Sequence, residues 1–224
     1  MCVDPYTGAH AAVYNSVATE GLDIFADYGK LLAVLVGCML FMALIIDPFI
    51  VFICLKRNPY PLVLRCFKES GLTAFFTRSS AANIPVNMTL CEKLGLDKNI
   101  YSVSIPLGAT INMDGTAIYQ GVCAVFIARC FGIDLTLAQM LTIVLTATLA
   151  SIGTAGVPGS GMIMLAMVLQ SVGLPVEGIA IVAGIDRILN MARVIPNIVG
   201  DAAVAVVVAK SEGELHPELV KEEE

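Results

Sequence analysis

Five polar residues, Asp186, Asn190, Arg193, Asn197 and Asp201, stand at spacings of 4, 3, 4 and 4 in a stretch otherwise rich in Val, Ile and Ala. At 3.6 residues per turn these spacings place two carboxylates, two amides and a guanidinium on one helix face. Such a set is suited to holding small charged species. A guanidinium fork matches a carboxylate, and carboxylate and amide oxygens suit a small hard cation. Part of the stripe reads equally as ion pairing, with Asp186 near Arg187 or Arg193. Arg129 and Arg187 read as snorkelling or paired and are assigned no site.

A second polar group interrupts another apolar stretch with GATINMDGT, where Asn112 and Asp114 flank Met113. Its glycines, Asn and Asp make a poor helix interior, so a broken helix is expected. Unwinding would free carbonyls near Gly108 and Thr110, and hard oxygens of this kind point to sodium. The plain alternative is an Asx turn in which Asp114 bonds its own backbone. Two further irregular segments, TRSSAANIP with Arg78, Ser79 and Ser80, and SIGTAGVPGSG from Ser151 to Gly161, read as hairpin tips. Helix N-termini at such tips present free N–H groups to a carboxylate, although a polar surface turn explains the first tip as well. A nucleotide loop is a weak reading of the second, because no strand precedes it and no Lys-Ser/Thr follows.

The elements that carry these residues are apolar. Of 224 residues 57% are hydrophobic and only 14% charged, with a mean hydropathy of +0.83, which points to a bilayer as solvent. The net charge of -6 gathers in the C-terminal glutamates, a solvated tail that gives no reason to expect a nucleic-acid partner. The cysteines show no CxxC pair and no metal spacing and read as reduced core residues. No Ser/His pair lies in the spans, so an enzyme such as an intramembrane protease is not expected. The expected fold is an all-α membrane protein with two re-entrant helical hairpins and an inverted-repeat core. Its parts are a helix over 31–55, a hairpin over 61–94, a broken helix over 100–133, a hairpin over 135–176 and a helix over 178–209. Together they form a unit spanning 25–210, preceded by a segment 1–24 and followed by a tail 211–224. Only Asp47 and Pro48 interrupt the first helix, and Lys56, Arg57, Arg65 and Lys68 after it predict a cytoplasmic end.

Taken in order, TRSSAANIPV, PLGATINMDGTAIYQGV, LTATLASIGTAGVPGSGMIMLAMVL and DRILNMARVIPNIVGDAAVAVVVAK resemble the dicarboxylate/amino acid:cation symporter family, that of glutamate transporters. The resemblance covers about 25–212 and implies the transport-domain part of such a carrier. It implies one sodium site at Gly108, Asn112, Asn197 and Asp201, a second at Thr110, Met113, Ser151, Ile152 and Thr154, and a third that involves Asn112 and Asp114. It places substrate at Ser80, Thr116, Val157, Gly161, Arg193 and Asn197, and Arg78, Met113 and Asn190 complete the expected substrate set. No organic cofactor is implied; sodium, or a proton, is the coupling ion.

Where amino-acid carriers of the family hold the substrate ammonium with an Asp, this chain has Asn190, and the Thr after the Arg is Val194. Arg without that Asp implies a dicarboxylate or acidic substrate, a small anionic solute moved with sodium across the bilayer. Serine/threonine symport stands as the alternative, because RSSAANIPVNM resembles that branch of the family. A channel-like pore and a non-transporting fragment are alternatives of another class. The resemblance also implies a multi-pass protein of a bacterial-type inner membrane and a homotrimer in full-length form, whose trimerisation scaffold has no counterpart in this sequence.

Overall fold

The computed structural model describes residues 23–214, with side chains from residue 26 onward; the N-terminal segment to residue 22 and the acidic tail from residue 215 lie outside the described residues. Among the described residues every regular element is helical. Helix α1 (Asp23–Phe41) runs through a π-helical turn (Met42–Ile46) into α2 (Asp47–Leu55). The run Ala26–Leu55 is 30 residues long and apolar, enough to cross a bilayer. It stops at Lys56, which takes a left-handed φ of 53°.

The next pair of arms is α3 (Tyr60–Cys66), a second π turn (Phe67–Gly71) and α4 (Leu72–Thr77), followed by α5 (Ser80–Lys93). The reversal needs only Arg78 and Ser79. Arg78 adopts φ 56°, and the extended Ser79 caps α5 by accepting from the Ala82 N–H at 3.1 Å. Buried polar groups fasten the arms: Asn83 Nδ2 donates to Ser70 Oγ, which donates to Asn87 Oδ1. Asn87 Nδ2 in turn reaches the Ile198 carbonyl of the last helix at 3.1 Å. At the surface Glu69 joins Arg65 of its own arm to Lys93 of the other.

Helix α6 (Lys98–Ile111), capped by Asp97, ends three residues after Gly108, and α7 (Asp114–Cys130) begins at Asp114. Between them Asn112 and Met113 hold non-helical dihedrals, inside the GATINMDGT stretch. Helix α8 (Leu137–Ile152) starts at a capping box of Thr136 and Gln139. Helix α9 (Ser160–Ser171) starts after Gly159, whose φ of 86° favours glycine. A single 3₁₀ turn and α10 (Ile179–Ala183) lead into α11 (Asp186–Ser211), the other helix long and apolar enough to cross a bilayer.

Helix α11 passes between two apolar clusters. One joins α1, α7, α8, α9 and Leu189, with Leu35, Tyr119, Ile143 and Leu165 at its centre. The other joins α2, α3, α5, α6 and the C-terminal half of α11, around Val63, Leu90, Ile105 and Val206. Each pair of arms thus packs with one half of the interrupted helix, and the polar residues lie between the two clusters. Helix α8 turns Leu141, Val144, Leu145 and Leu149 outward, a face suited to hydrocarbon. Cys66, Cys91 and Cys123 are core thiols, whereas Cys38 and Cys130 are exposed, so the expectation of core cysteines holds for only part of the set.

Candidate functional site

The two tips meet. Gly156 of the second tip accepts at its carbonyl from Ser79 Oγ at 2.7 Å and from the Ala81 N–H at 3.0 Å. A β-carbon on Gly156 would lie 3.0 Å from the Ala109 carbonyl and 3.0 Å from the Ala81 nitrogen. Only glycine lets both tips and the end of α6 approach so closely.

Beneath this junction lies a small, tightly lined pocket. Arg78 and Ser80 line it from the first tip, Met113 and Thr116 from the break, Val157 from the second tip, and Arg193 and Asn197 from α11. These are seven of the expected substrate residues. Ala155, Gly156, Ser160 and Val194 complete the wall, and none of these four belonged to the expected set.

Arg193 is 3% exposed, and its Nε and Nη1 have no hydrogen-bond partner. A buried guanidinium with open donors is a ready receptor for a carboxylate. Its carbon lies 5.3 Å from the Tyr119 ring centre, a cation–π contact. Gly161 makes room for it: a β-carbon there would stand 1.7 Å from Nη1.

Asn190 is outside the cavity wall. Its Nδ2 donates to Asp186 Oδ2, and Asp186 Oδ1 accepts from the Tyr119 hydroxyl at 2.8 Å. Asp186 therefore has neutral donors as its bonded partners, while it feels the positive charges of Arg193 and Arg78. The negative charge that is missing at Asn190 is present one helical turn earlier. Asn190 Oδ1 is buried and unpartnered, an acceptor backed by a carboxylate. The sequence reading singled out neither Tyr119 nor its neighbour Gln120, which is fully buried with both amide atoms unpartnered. Both sit in an apolar run where hydrophobic periodicity marks them only as core.

The first expected sodium set is assembled. Asn112 Nδ2 donates to Asp201 Oδ1 at 3.0 Å and to the Asn197 carbonyl at 3.2 Å. Asp201 is 2% exposed and its Oδ2 has no partner. A β-carbon at Gly108 would fall 2.6 Å from Asp201 Oδ1, so the backbone of α6 lies directly against this carboxylate. Asn197 also accepts at Oδ1 from the Gly115 N–H at 2.7 Å and donates from Nδ2 to Met113 Sδ at 3.2 Å. One amide thus touches both the break and the cavity. An orphaned buried carboxylate oxygen beside backbone carbonyls fits a hard cation.

The second expected set is looser. The hydroxyls of Thr110 and Ser151 donate back to Leu107 and Thr148 of their own helices, that of Thr154, just past α8, donates to Ala150, and Ile152 is 46% exposed. What draws the two groups together is the approach of Gly156 to Ala109. Asp114, half-buried, opens α7 where the N-terminal dipole favours a carboxylate.

The profile of the sodium:dicarboxylate symporter family matches residues 4–211. A serine/threonine transporter SstT of Bifidobacterium adolescentis is 50% identical over 184 residues, 82% of this chain and 43% of the relative. One of Streptococcus agalactiae serotype Ia is 45% identical over 184 residues, 80% of this chain and 46% of the relative. The chain spans about half the length of the curated relatives it matches. With this match over nearly its whole length, the chain belongs to the sodium:dicarboxylate symporter family, a multi-pass membrane transporter family and not an enzyme family.

Proposed function

We propose that the chain is the solute- and cation-binding part of a sodium-coupled symporter for small neutral hydroxy amino acids, serine and threonine. The observation that carries this reading is a buried carboxylate, Asp186, that lies behind the cavity wall and interacts with the Arg193 charge. Arg193 offers open donors to a carboxylate, while Asp186, through Asn190, offers negative charge to an ammonium. A zwitterion complements both. A dicarboxylate would leave Asp186 facing a like charge, so the expectation of a dicarboxylate drawn from Asn190 gives way to the serine/threonine alternative. The serine/threonine transporters among the relatives support the same choice.

In this reading sodium at Asp201 and Asn112 orders the interrupted helix, and Asn197 passes that order to the cavity through Gly115 and Met113. Solute then closes the second tip over Ser79. Each ligand stabilises the state the other needs, so sodium tightens solute binding and solute tightens sodium to the same extent. The test is uptake into proteoliposomes holding the full carrier, driven by an inward sodium gradient, with labelled serine competed by threonine, aspartate and succinate. Competition by threonine alone is expected. Succinate displacing serine more strongly than threonine does would overturn the assignment.

A further inference from the structure

Asp47 sits in the first long apolar helix, directly after the π turn Met42–Ile46, and its N–H bonds the Met42 carbonyl across that wider turn. It is 5% exposed, and its Oδ2 has no hydrogen-bond partner. π turns inside α-helices often mark functional positions, and a carboxylate at membrane depth is costly unless something neutralises it. Helix α2 packs on α11, which carries Asp201. The Asp47 carboxylate feels the charge of Asp114, and Asp201 feels that of Asp47.

The charged groups on the surrounding elements do not balance this set. Besides Asp201, α11 carries Asp186, Arg187 and Arg193 in its first half and, at its far end, Lys210, which donates to the Cys54 carbonyl. From α7 comes Asp114; from α3 comes Arg65, already held by Glu69. Among the described residues the ion pairs join Lys30 to Asp27, Arg65 to Glu69 and Lys93 to Glu69, all outside the core. Among the described residues none of these three interacting acidic side chains has an ion-pair partner within 4 Å. Cations bound at Asp114 and Asp201 would neutralise two of them.

We propose that Asp47 is a cation-binding carboxylate that adds one monovalent cation, sodium or a proton, to those held at Asp114 and Asp201. Among the described residues no group of three acidic, His or Cys side chains converges on one point, and in this proposal Asp47 holds a cation of its own. The consequence is a higher charge count per transported solute than the two other carboxylates supply. The proposal rests on the symport reading above.

The test is the charge moved per serine, from the reversal potential of uptake in proteoliposomes of the full carrier, for the unsubstituted protein and for Asp47→Asn. The Asn side chain keeps the shape and removes the charge. One elementary charge fewer per serine is expected in the variant. Two arms identify the cation: a stepped pH gradient at fixed sodium and a stepped sodium gradient at fixed pH, the arm that loses one power naming it. Equal charge per serine in the two proteins overturns the proposal. Where Asp47→Asn moves no solute, bound cations are counted on purified carrier, with Asp47→Glu as the folded control that retains the carboxylate. The count combines the slope of solute affinity against sodium with proton uptake into weak buffer. A count one lower for Asn than for Glu supports the site, and equal counts overturn it. Lack of sodium-driven uptake by the unsubstituted protein is a different result, which overturns the symport reading and this proposal together.

Discussion

Gly161 lies against the guanidinium of Arg193 so closely that a β-carbon would stand 1.7 Å from Nη1 and 2.9 Å from the guanidinium carbon. The atom in the way is the far end of a flexible side chain, so Gly161→Ala displaces the guanidinium at little cost to the fold. A carboxylate receptor moved by about 1 Å loses its alignment with the solute. Solute affinity is expected to fall at least tenfold, about 1.4 kcal/mol, with the melting temperature in detergent nearly unchanged. A variant that melts early but binds normally would contradict this view of Gly161.

Gly115 gives the opposite result for the same change. A β-carbon there would meet the Arg193 backbone carbonyl at 2.1 Å and Pro196 Cγ at 2.8 Å. Neither a helix carbonyl nor a proline ring can swing aside, so α7 must move away from α11. Overpacking of this kind costs about 1–3 kcal/mol, and the shift also stretches the Gly115 N–H bond to Asn197. Thermal unfolding of Gly115→Ala is expected to show a clear loss of stability, together with weaker sodium dependence of solute binding. Unchanged unfolding would mean that the two helices are not in fixed contact.

Asn190 and Asp186 are bonded side chain to side chain, which makes Asn190 a necessary neighbour for that carboxylate. Asn190→Asp puts two carboxylates in contact and removes a donor from a buried one, a loss of about 1–3 kcal/mol. Tyr119→Phe removes the other donor to Asp186 while it keeps the ring beneath Arg193. Both variants are expected to unfold at lower temperature, but only Asn190→Asp alters the charge facing the solute. It alone should change the ranking of serine against aspartate in uptake competition.

Part of this arrangement was legible in the sequence because it is local. The stripe from Asp186 to Asp201 shows through helical spacing alone, since polar groups repeating every three or four residues on an apolar helix must share a face. The interruption of the helix at Asn112 and Met113 follows from residues that compete with helical backbone bonds. The partnership of Tyr119 with Asp186 spans 67 positions and depends on how α7 lies on α11, which no local pattern encodes. The same holds for Asn87 reaching Ile198 across 111 positions. Asn190 misled for this reason: its type showed a missing charge, while the compensating carboxylate was visible only once its bonded partners were known. Asp47 was noticed only as an interruption, because burial by a neighbouring helix cannot be read from its own.

Asp201→Asn tests the cation set. The substitution removes the charge; the amide oxygen can still accept from Asn112 Nδ2, and the N–H₂ group then takes the place of the open Oδ2, where a donor repels a cation. The sodium concentration that half-saturates solute binding is expected to rise more than tenfold, while binding at saturating sodium recovers in part. Sodium dependence identical to that of the unsubstituted protein would remove Asp201 from the cation set.

Ser79 carries two bonds at once: its hydroxyl donates to the Gly156 carbonyl of the second tip and accepts from the Ala82 N–H at the start of α5. Ser79→Ala loses both the cap, worth about 0.5–2 kcal/mol, and the link between tips. Ser79→Gly keeps most of the capping preference, at a cost of only a few tenths of a kcal/mol, and loses the link. The Ala81 N–H still reaches Gly156 in both, so the second tip is loosened and not released. If the link holds the second tip shut over the solute, both variants speed solute release, by about fivefold for a bond of about 1 kcal/mol, and only the Ala variant loses stability. Solute release faster in the Ala variant alone would show that the hydroxyl serves the helix end and leaves the tips independent. The comparison therefore separates a structural cap from a gate latch at a single residue.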